Sequence, residues 1–438
     1  MNLDEILKKV KSLNETTRVI INKVPLEKCI NWSYDESRGE ICNSSKSFFQ
    51  IKGIKKIKNG EVVLEQPIII QNEIGYLGII RKRINGEYYY LMQYKIEPGN
   101  INKIQISPTI QATKSNFTQK HGGKKPAYLD YFVNANRYKI VVDQIQSEQS
   151  SRFLGKRNRN IIVEVDEDES VECLPSHDWM TLRQIKTLMR YDNLVNMDTR
   201  TVLSCLPAEF EDYAAENFKD KALYKSMKYG SGINYFPQLY QYINNVKMFD
   251  DCDTKMVSLG ELDTWSMVGG EIVSNTPYSF KVVFCDIEIE GREVKHWCQP
   301  LFEAMGIADF GLITCVENGV RLFLVKCRKE IGCFDTIEIG PSVQKEYVSL
   351  EEKDAVEAFF YKKVNLGKGI IFDTLLSEEG GRFYQEQNRN IVIEVDKREI
   401  DDLPDGYFWL DYKTLNTLVQ VNNTLNIQLR NLLSVLEF

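Results

Sequence analysis

Two short runs of this sequence carry the same directional polar groups in the same order. Ser147-Glu148-Gln149-Ser150-Ser151-Arg152-Phe153 is matched by Ser377-Glu378-Glu379-Gly380-Gly381-Arg382-Phe383, and Asn158-Arg159-Asn160 by Asn388-Arg389-Asn390. An arginine fork donates two parallel hydrogen bonds and suits a phosphate, while a neighbouring carboxylate can accept or return a proton. Arg152 and Arg382 also fit a second reading, a salt bridge that ties strand to helix. Trp32 and Trp265 stand at matching positions before polar turns, where a ring packs in the core or stacks on a base or sugar. The loop Gln111-Ala112-Thr113-Lys114-Ser115-Asn116 offers hydroxyls, amides and one cation to a diphosphate, without the glycines of a P-loop.

These residues belong to an internal duplication. Trp179 and Trp409, Asn196 and Asn426, and Arg200 and Arg430 keep the offset that separates Arg152 from Arg382, 230 residues. Upstream, Trp32-Ser33 pairs with Trp265-Ser266, Gln66-Pro67 with Gln299-Pro300 and Gln111 with Gln344, an offset of 233 residues. The register changes between Gln111 and Asp143, where the first copy alone has His121-Gly122-Gly123. The expected division is a first module over 1–206, a helical connector over 207–234 and a second module over 235–438.

The elements that must position the polar residues are legible in part. Asn85-Gly86 between two β-rich runs predicts a tight hairpin, repeated at Asn318-Gly319. Ile161–Val165 reads as a buried strand, Trp179–Tyr191 as an amphipathic helix, and Asn196 as the N-cap of a further helix. Each copy is therefore expected to be α+β, a mostly antiparallel sheet followed by helices.

Composition limits the function. The 438 residues carry a net charge of -7, which argues against nucleic acid as a partner. No apolar run of about 18 residues is present to span a membrane, and the first residues lack a signal-peptide pattern, so a cytoplasmic protein is expected. The ten cysteines form no C-x-x-C pair and the three histidines show no paired spacing, so no metal site is expected.

The longer motifs carry a resemblance. Glu97-Pro98-Gly99-Asn100, Ser107 through Asn116, Gln146-Ser147-Glu148-Gln149, Lys156 through Asn160, Asp192 through Arg200, Gln299-Pro300 and Ser377 through Tyr384 resemble the NDP-hexose 2,3-dehydratases of deoxysugar biosynthesis. The resemblance implies a homodimer with two Nudix-like modules per chain, each able to bind a dTDP-sugar. It implies loss of water across carbons 2 and 3 of a dTDP-4-keto-6-deoxyhexose, with no cofactor, followed by an NAD(P)H-dependent 3-ketoreductase. Neither copy shows a Nudix box, so metal-dependent diphosphate hydrolysis is not expected. A nucleotide-sugar binding protein that has lost catalysis is the alternative.

The implied chemistry requires a base for the carbon 3 proton, a donor to the 4-ketone and an acid for the departing hydroxyl. Glu148 and Glu378 are the carboxylate candidates, with Tyr128, Tyr131, Tyr384 and His121 as alternatives. By repeat position and family motif, Trp32, Gln111 to Ser115, Ser151 and Arg152 are expected to bind substrate in the first copy. Trp265, Arg328, Gln344, Gly381 and Arg382 are the matching candidates in the second. There, Gln344-Lys345-Glu346-Tyr347 stands in place of the Gln-Ala-Thr-Lys loop.

Overall fold

In the computed structural model, residues 2–46, 48–113, 125–208, 218–292, 294–349, 354–400 and 402–436 are described. Each copy contributes one large sheet. In the first, the strands run Lys139–Ser147, Arg157–Val165, Gly75–Ile84, Glu87–Ile96 and His177–Thr181 in spatial order, with two short strands paired to the middle pair. The second repeats that order with Ile370–Ser377, Gln387–Glu394, Asp309–Glu317, Val320–Arg328 and Tyr407–Asp411. Arg157–Val165 lies parallel to Gly75–Ile84, so the sheet is mixed rather than purely antiparallel. The α+β expectation holds at this level.

Asn85 and Gly86 take φ values of 51° and 85°, and Asn318 and Gly319 values of 51° and 76°. Two successive positive φ angles match the right-handed twist of the flanking strands, which is why Asn-Gly is used in both hairpins. Asn196 and Asn426 cap the helices Met197–Ser204 and Ile427–Ser434, each side chain accepting a backbone N–H. The helix expected from Trp179 begins later. Residues His177–Thr181 extend the sheet, and Thr181 caps a helix over Leu182–Leu188. Alternating burial along a sheet edge and apolar spacing along a short helix overlap here, and the sheet edge takes the tryptophan.

The two smaller sheets are where the copies exchange chain. Val19–Val24 pairs antiparallel with Phe280–Ile289 of the second copy, and Cys252–Val257 pairs with Gln50–Lys58 of the first. The exchange continues at the centre. The Gly99 amide donates to the Gly380 carbonyl at 2.7 Å, and the Gly332 amide to the Ser150 carbonyl at 2.8 Å. A Cβ on Gly99 would lie 1.6 Å from the Phe383 carbonyl oxygen, and one on Gly332 1.9 Å from that of Phe153. Arg200 and Arg430, both buried, donate across the same junction to the Ser377 and Ser147 carbonyls. These arginines join the copies. No helix among the described residues is long and apolar enough to cross a membrane.

Candidate active site

The loop after each long strand is closed by its own backbone. The Glu148 amide donates to the Lys156 carbonyl, and the Glu378 amide to the Glu386 carbonyl, at 2.9 and 3.0 Å. This closure holds a glutamate at one end of each loop beside an asparagine on the returning strand. Asn158 donates to Glu148 at 2.6 Å, and Asn388 donates to Glu378 at 2.5 Å. Within the loop, Phe153 and Phe383 enter the core between the copies, with ring centroids 5.9 Å apart. The arginine just before each phenylalanine is thereby carried to the other copy.

The result is a crossed site. A cavity of about 830 Å³ is lined by Gln111, Ala112, Thr113, Glu148, Lys156, Asn158 and Asp198 of the first copy. Gln299, Glu379, Gly381 and Arg382 of the second copy line the same cavity. Repeat position groups Arg152 with the first copy's residues and Arg382 with the second's. The structure groups them the other way, because the loop reaches across the junction before its arginine.

The cavity is densely charged. Lys95 donates to Glu97 at 3.0 Å and to Gln111 at 2.6 Å, and Gln111 in turn donates to Asp198. Burial, with Glu148, Glu379 and Glu97 nearby, holds the Asp198 carboxyl well above the usual carboxylate range. Burial also raises Glu148, against the pull of Lys156, Arg430 and the Asn158 hydrogen bond. Glu379 is pushed up to about 7 by burial, with Glu97 and Glu148 adding to it against Arg382 and Lys95. Lys156 moves down through burial, with Glu148 opposing, and donates to the Glu73 carbonyl and to Asn158. Arg382 lies over the Phe49 ring, 4.1 Å from its centroid, and donates to Gln71 and the Gly381 carbonyl, both neutral acceptors.

The equivalent place in the second copy is filled differently. Arg152 lies over Phe280 and forms an ion pair with Glu346 at 3.2 Å; Glu346 stands where the first copy has Thr113. Gln149 donates to Glu378, Tyr278 donates to Gln66 at 2.7 Å, and Gln344 donates to Glu330 at 2.8 Å. The Arg328 guanidinium donates to the Ser342 carbonyl. Ser151 gives its carbonyl to Gln66.

The tryptophans are core residues first. Trp32 and Trp265 are buried, and their indole N–H groups donate across the copies to the Cys298 and Glu65 carbonyls. Trp32 also forms part of the cavity wall. Tyr128 pins a loop, donating to the Glu172 carbonyl and accepting from the Leu174 amide; it does not line the cavity. Neither Tyr131 nor Tyr384 lines it. The Tyr131 ring packs on Tyr138, and Tyr384 packs under Lys23. Lys114, Ser115 and His121 lie outside the described residues.

Lys95, Lys156, Asp198 and Glu379 are not among the site residues expected from sequence, although the last three lie within the motifs that carry the resemblance. A signal for them is present in the repeat itself, since their partners at matching positions are Arg328, Glu386, Gln428 and Gln149. At three of these four positions the two copies differ in charge, which a comparison of the repeats would have exposed.

A sequence model of the NDP-hexose 2,3-dehydratases matches residues 3–206 and 237–436. A dTDP-4-dehydro-6-deoxy-α-D-glucopyranose 2,3-dehydratase of Saccharopolyspora spinosa is 37% identical over 428 residues, covering 95% of this chain and 87% of that one. Proteins of the same name from Streptomyces violaceoruber and Amycolatopsis orientalis are 34% and 32% identical. The first alignment covers 95% of this chain and 93% of the relative, the second 94% and 86%. With the match spanning both copies and the polar residues of the crossed cavity, the chain belongs to the NDP-hexose 2,3-dehydratase family.

Proposed function

We propose that the crossed cavity removes water across carbons 2 and 3 of dTDP-4-keto-6-deoxy-D-glucose, the substrate in the names of its relatives. The observation that carries this is the set of buried carboxyls, Glu148, Asp198 and Glu379, gathered around one cavity with an arginine whose hydrogen bonds, among the described residues, go to neutral acceptors. Its volume lies within the range that encloses small-molecule ligands. Arg382 takes the diphosphate as a fork, and Lys156 adds a second positive group.

Glu148 removes the proton from carbon 3, made acidic by the adjacent ketone, and the electron pair forms an enolate. That pair then forms the double bond between carbons 2 and 3 as the carbon 2–oxygen bond breaks. The departing hydroxide takes a proton from Asp198, whose carboxyl burial raises well above the usual carboxylate range, and leaves as water. Lys95, hydrogen-bonded to Gln111, supplies positive charge to the enolate side of the cavity. The enol tautomerises to a 3,4-diketone, which a downstream NAD(P)H-dependent 3-ketoreductase would consume.

The modules 1–206 and 235–438, joined by 207–234, are read as Nudix-like, and the working form as a homodimer. The test is incubation of the purified protein with the 4-keto sugar in deuterated water. A product lighter by one water, with deuterium at carbon 2, is expected. Binding of dTDP without any such product, across pH, would favour the catalytically inactive binding protein. Magnesium-dependent release of a sugar phosphate would favour a hydrolase.

A further inference from the structure

Glu330, Cys333 and Glu338 of the second copy place two carboxylate oxygens and a sulfur within 4.8 Å of one another. Their counterparts in the first copy are Glu97, Asn100 and Gln105, so a thiol and a carboxylate have replaced two neutral amides. Each amide makes at least one hydrogen bond where it stands, although the Asn100 oxygen has none. Asn100 donates to the Lys103 carbonyl, and Gln105 donates to Asn102 and accepts from Ser377. Glu338 is 3% exposed, and neither of its oxygens has a well-formed hydrogen bond among the described residues, with Ser147 and Ser150 the nearby donors. Burying a carboxylate without donors is costly unless it is protonated or meets a cation.

Burial, with Glu338 and Glu330 nearby, holds the Cys333 thiol well above its ordinary range, and one backbone donor works against that. The Glu330 amide donates to its sulfur at 3.4 Å, inside a turn closed by the Cys333 amide and the Glu330 carbonyl at 3.1 Å. Arg328 and Arg152 act electrostatically on Glu330, and Arg430 on Glu338, and would offset the charge left by one thiolate and two carboxylates on a divalent ion. A tetrahedral zinc with bonds of about 2.0–2.3 Å sets its ligands roughly 3.5 Å apart, a contraction that side-chain rotation can supply.

We propose that Glu330, Cys333 and Glu338 form a site for a divalent transition metal of the zinc class, held by one thiolate and two carboxylates. The site lies beside the Arg152–Glu346 pair and is not among the residues lining the crossed cavity, so the ion fixes this part of the second copy and takes no part in the dehydration. One position of the tetrahedron remains for water.

The test uses the full chain, stripped of metal and titrated with cobalt(II) and with zinc against a chromophoric chelator. One equivalent per chain is expected, with a thiolate-to-cobalt charge-transfer band in the near ultraviolet. Cys333→Ser should abolish the band and weaken zinc binding by about a hundredfold or more. If that variant folds poorly, Cys333→Asn with Glu338→Gln restores the first copy's residues at both positions and should behave alike. A second thiol lies near acidic groups, in Asp250, Asp251 and Cys252, so Cys252→Ala must leave the band intact. No binding, a band that follows Cys252, or binding indifferent to Cys333 would each overturn the proposal.

Discussion

Arg152 donates to Glu346 at 3.2 Å, whereas Arg382, its equivalent by repeat, donates to neutral groups only, Gln71 and the Gly381 carbonyl. A carboxylate thus faces the guanidinium in one place and neutral acceptors face it in the other. Burial pulls the Arg152 guanidinium down, but Glu346 and Glu386 outweigh it and hold it above its ordinary value. Burial lowers Arg382, with Glu379, Glu73 and Glu97 in partial opposition. The two places have the same frame and differ in what faces the arginine.

One consequence is stoichiometric. Calorimetric titration with dTDP should give one site per chain. In Glu346→Thr, which restores the first copy's residue, a second and weaker site should appear. Two equal sites in the unmodified protein would contradict this account of Arg152.

Removal of the Arg382 fork should act on binding. Arg382→Ala is expected to cost about 1.5–3 kcal/mol, the worth of a hydrogen bond to a charged group, or roughly ten- to a hundredfold in affinity. Arg152→Ala should leave dTDP affinity within a few-fold while lowering the melting temperature, because Glu346 is then left unpaired.

Matching substitutions in the two copies separate chemistry from frame. Glu148→Gln and Asp198→Asn should each reduce kcat by about 10²–10⁴, the usual range for a lost acid or base, with dTDP binding retained. Glu378→Gln, which keeps the Asn388 partner in reach, should leave kcat within a few-fold. Steady-state kinetics on the three variants, with binding measured in parallel, decides it.

Acid–base linkage also has a direction. Burial raises Glu378 to about 7 and Glu386 to about 8, both above the ordinary 4.5. The folded chain therefore holds protons that the unfolded chain releases. Their contribution is fully present below pH 4.5 and is lost as pH rises toward about 8. Thermal melting followed from pH 6 to 8.5 should show a fall that Glu386→Gln flattens.

Gly99→Ala and Gly332→Ala test the junction. Each new methyl would meet a carbonyl oxygen of the other copy, at 1.6 and 1.9 Å, with no flexible side chain to give way. A loss of about 3 kcal/mol or more is expected, read by denaturant unfolding.

Much of this architecture is legible in the sequence alone. The constant offsets pair Glu148 with Glu378 and Arg152 with Arg382, and Asn85-Gly86 and Asn196 act as their residue types predict. The crossing of the copies is not legible. A repeat aligned with itself reports equivalence, and a strand such as Val19–Val24 has the same pattern whichever sheet edge it joins. Trp179 is assigned to the wrong element because a sheet edge running into a helix has no break in its apolar spacing. Asp198 does not stand out, since an acidic residue in the first turn of a helix already has a reason to be there.

The exchange of Val19–Val24 and Cys252–Val257 between the copies has a further consequence. Half of this chain, made alone, would keep a bare sheet edge that only another half could cover. Its natural form would be an interlocked pair with two identical pockets, in which any mutation strikes both. Fusion into one polypeptide removes that constraint. Glu346 can then face Arg152 in one copy, and Asp198 can stand at the cavity of the other, without either change being imposed on its twin.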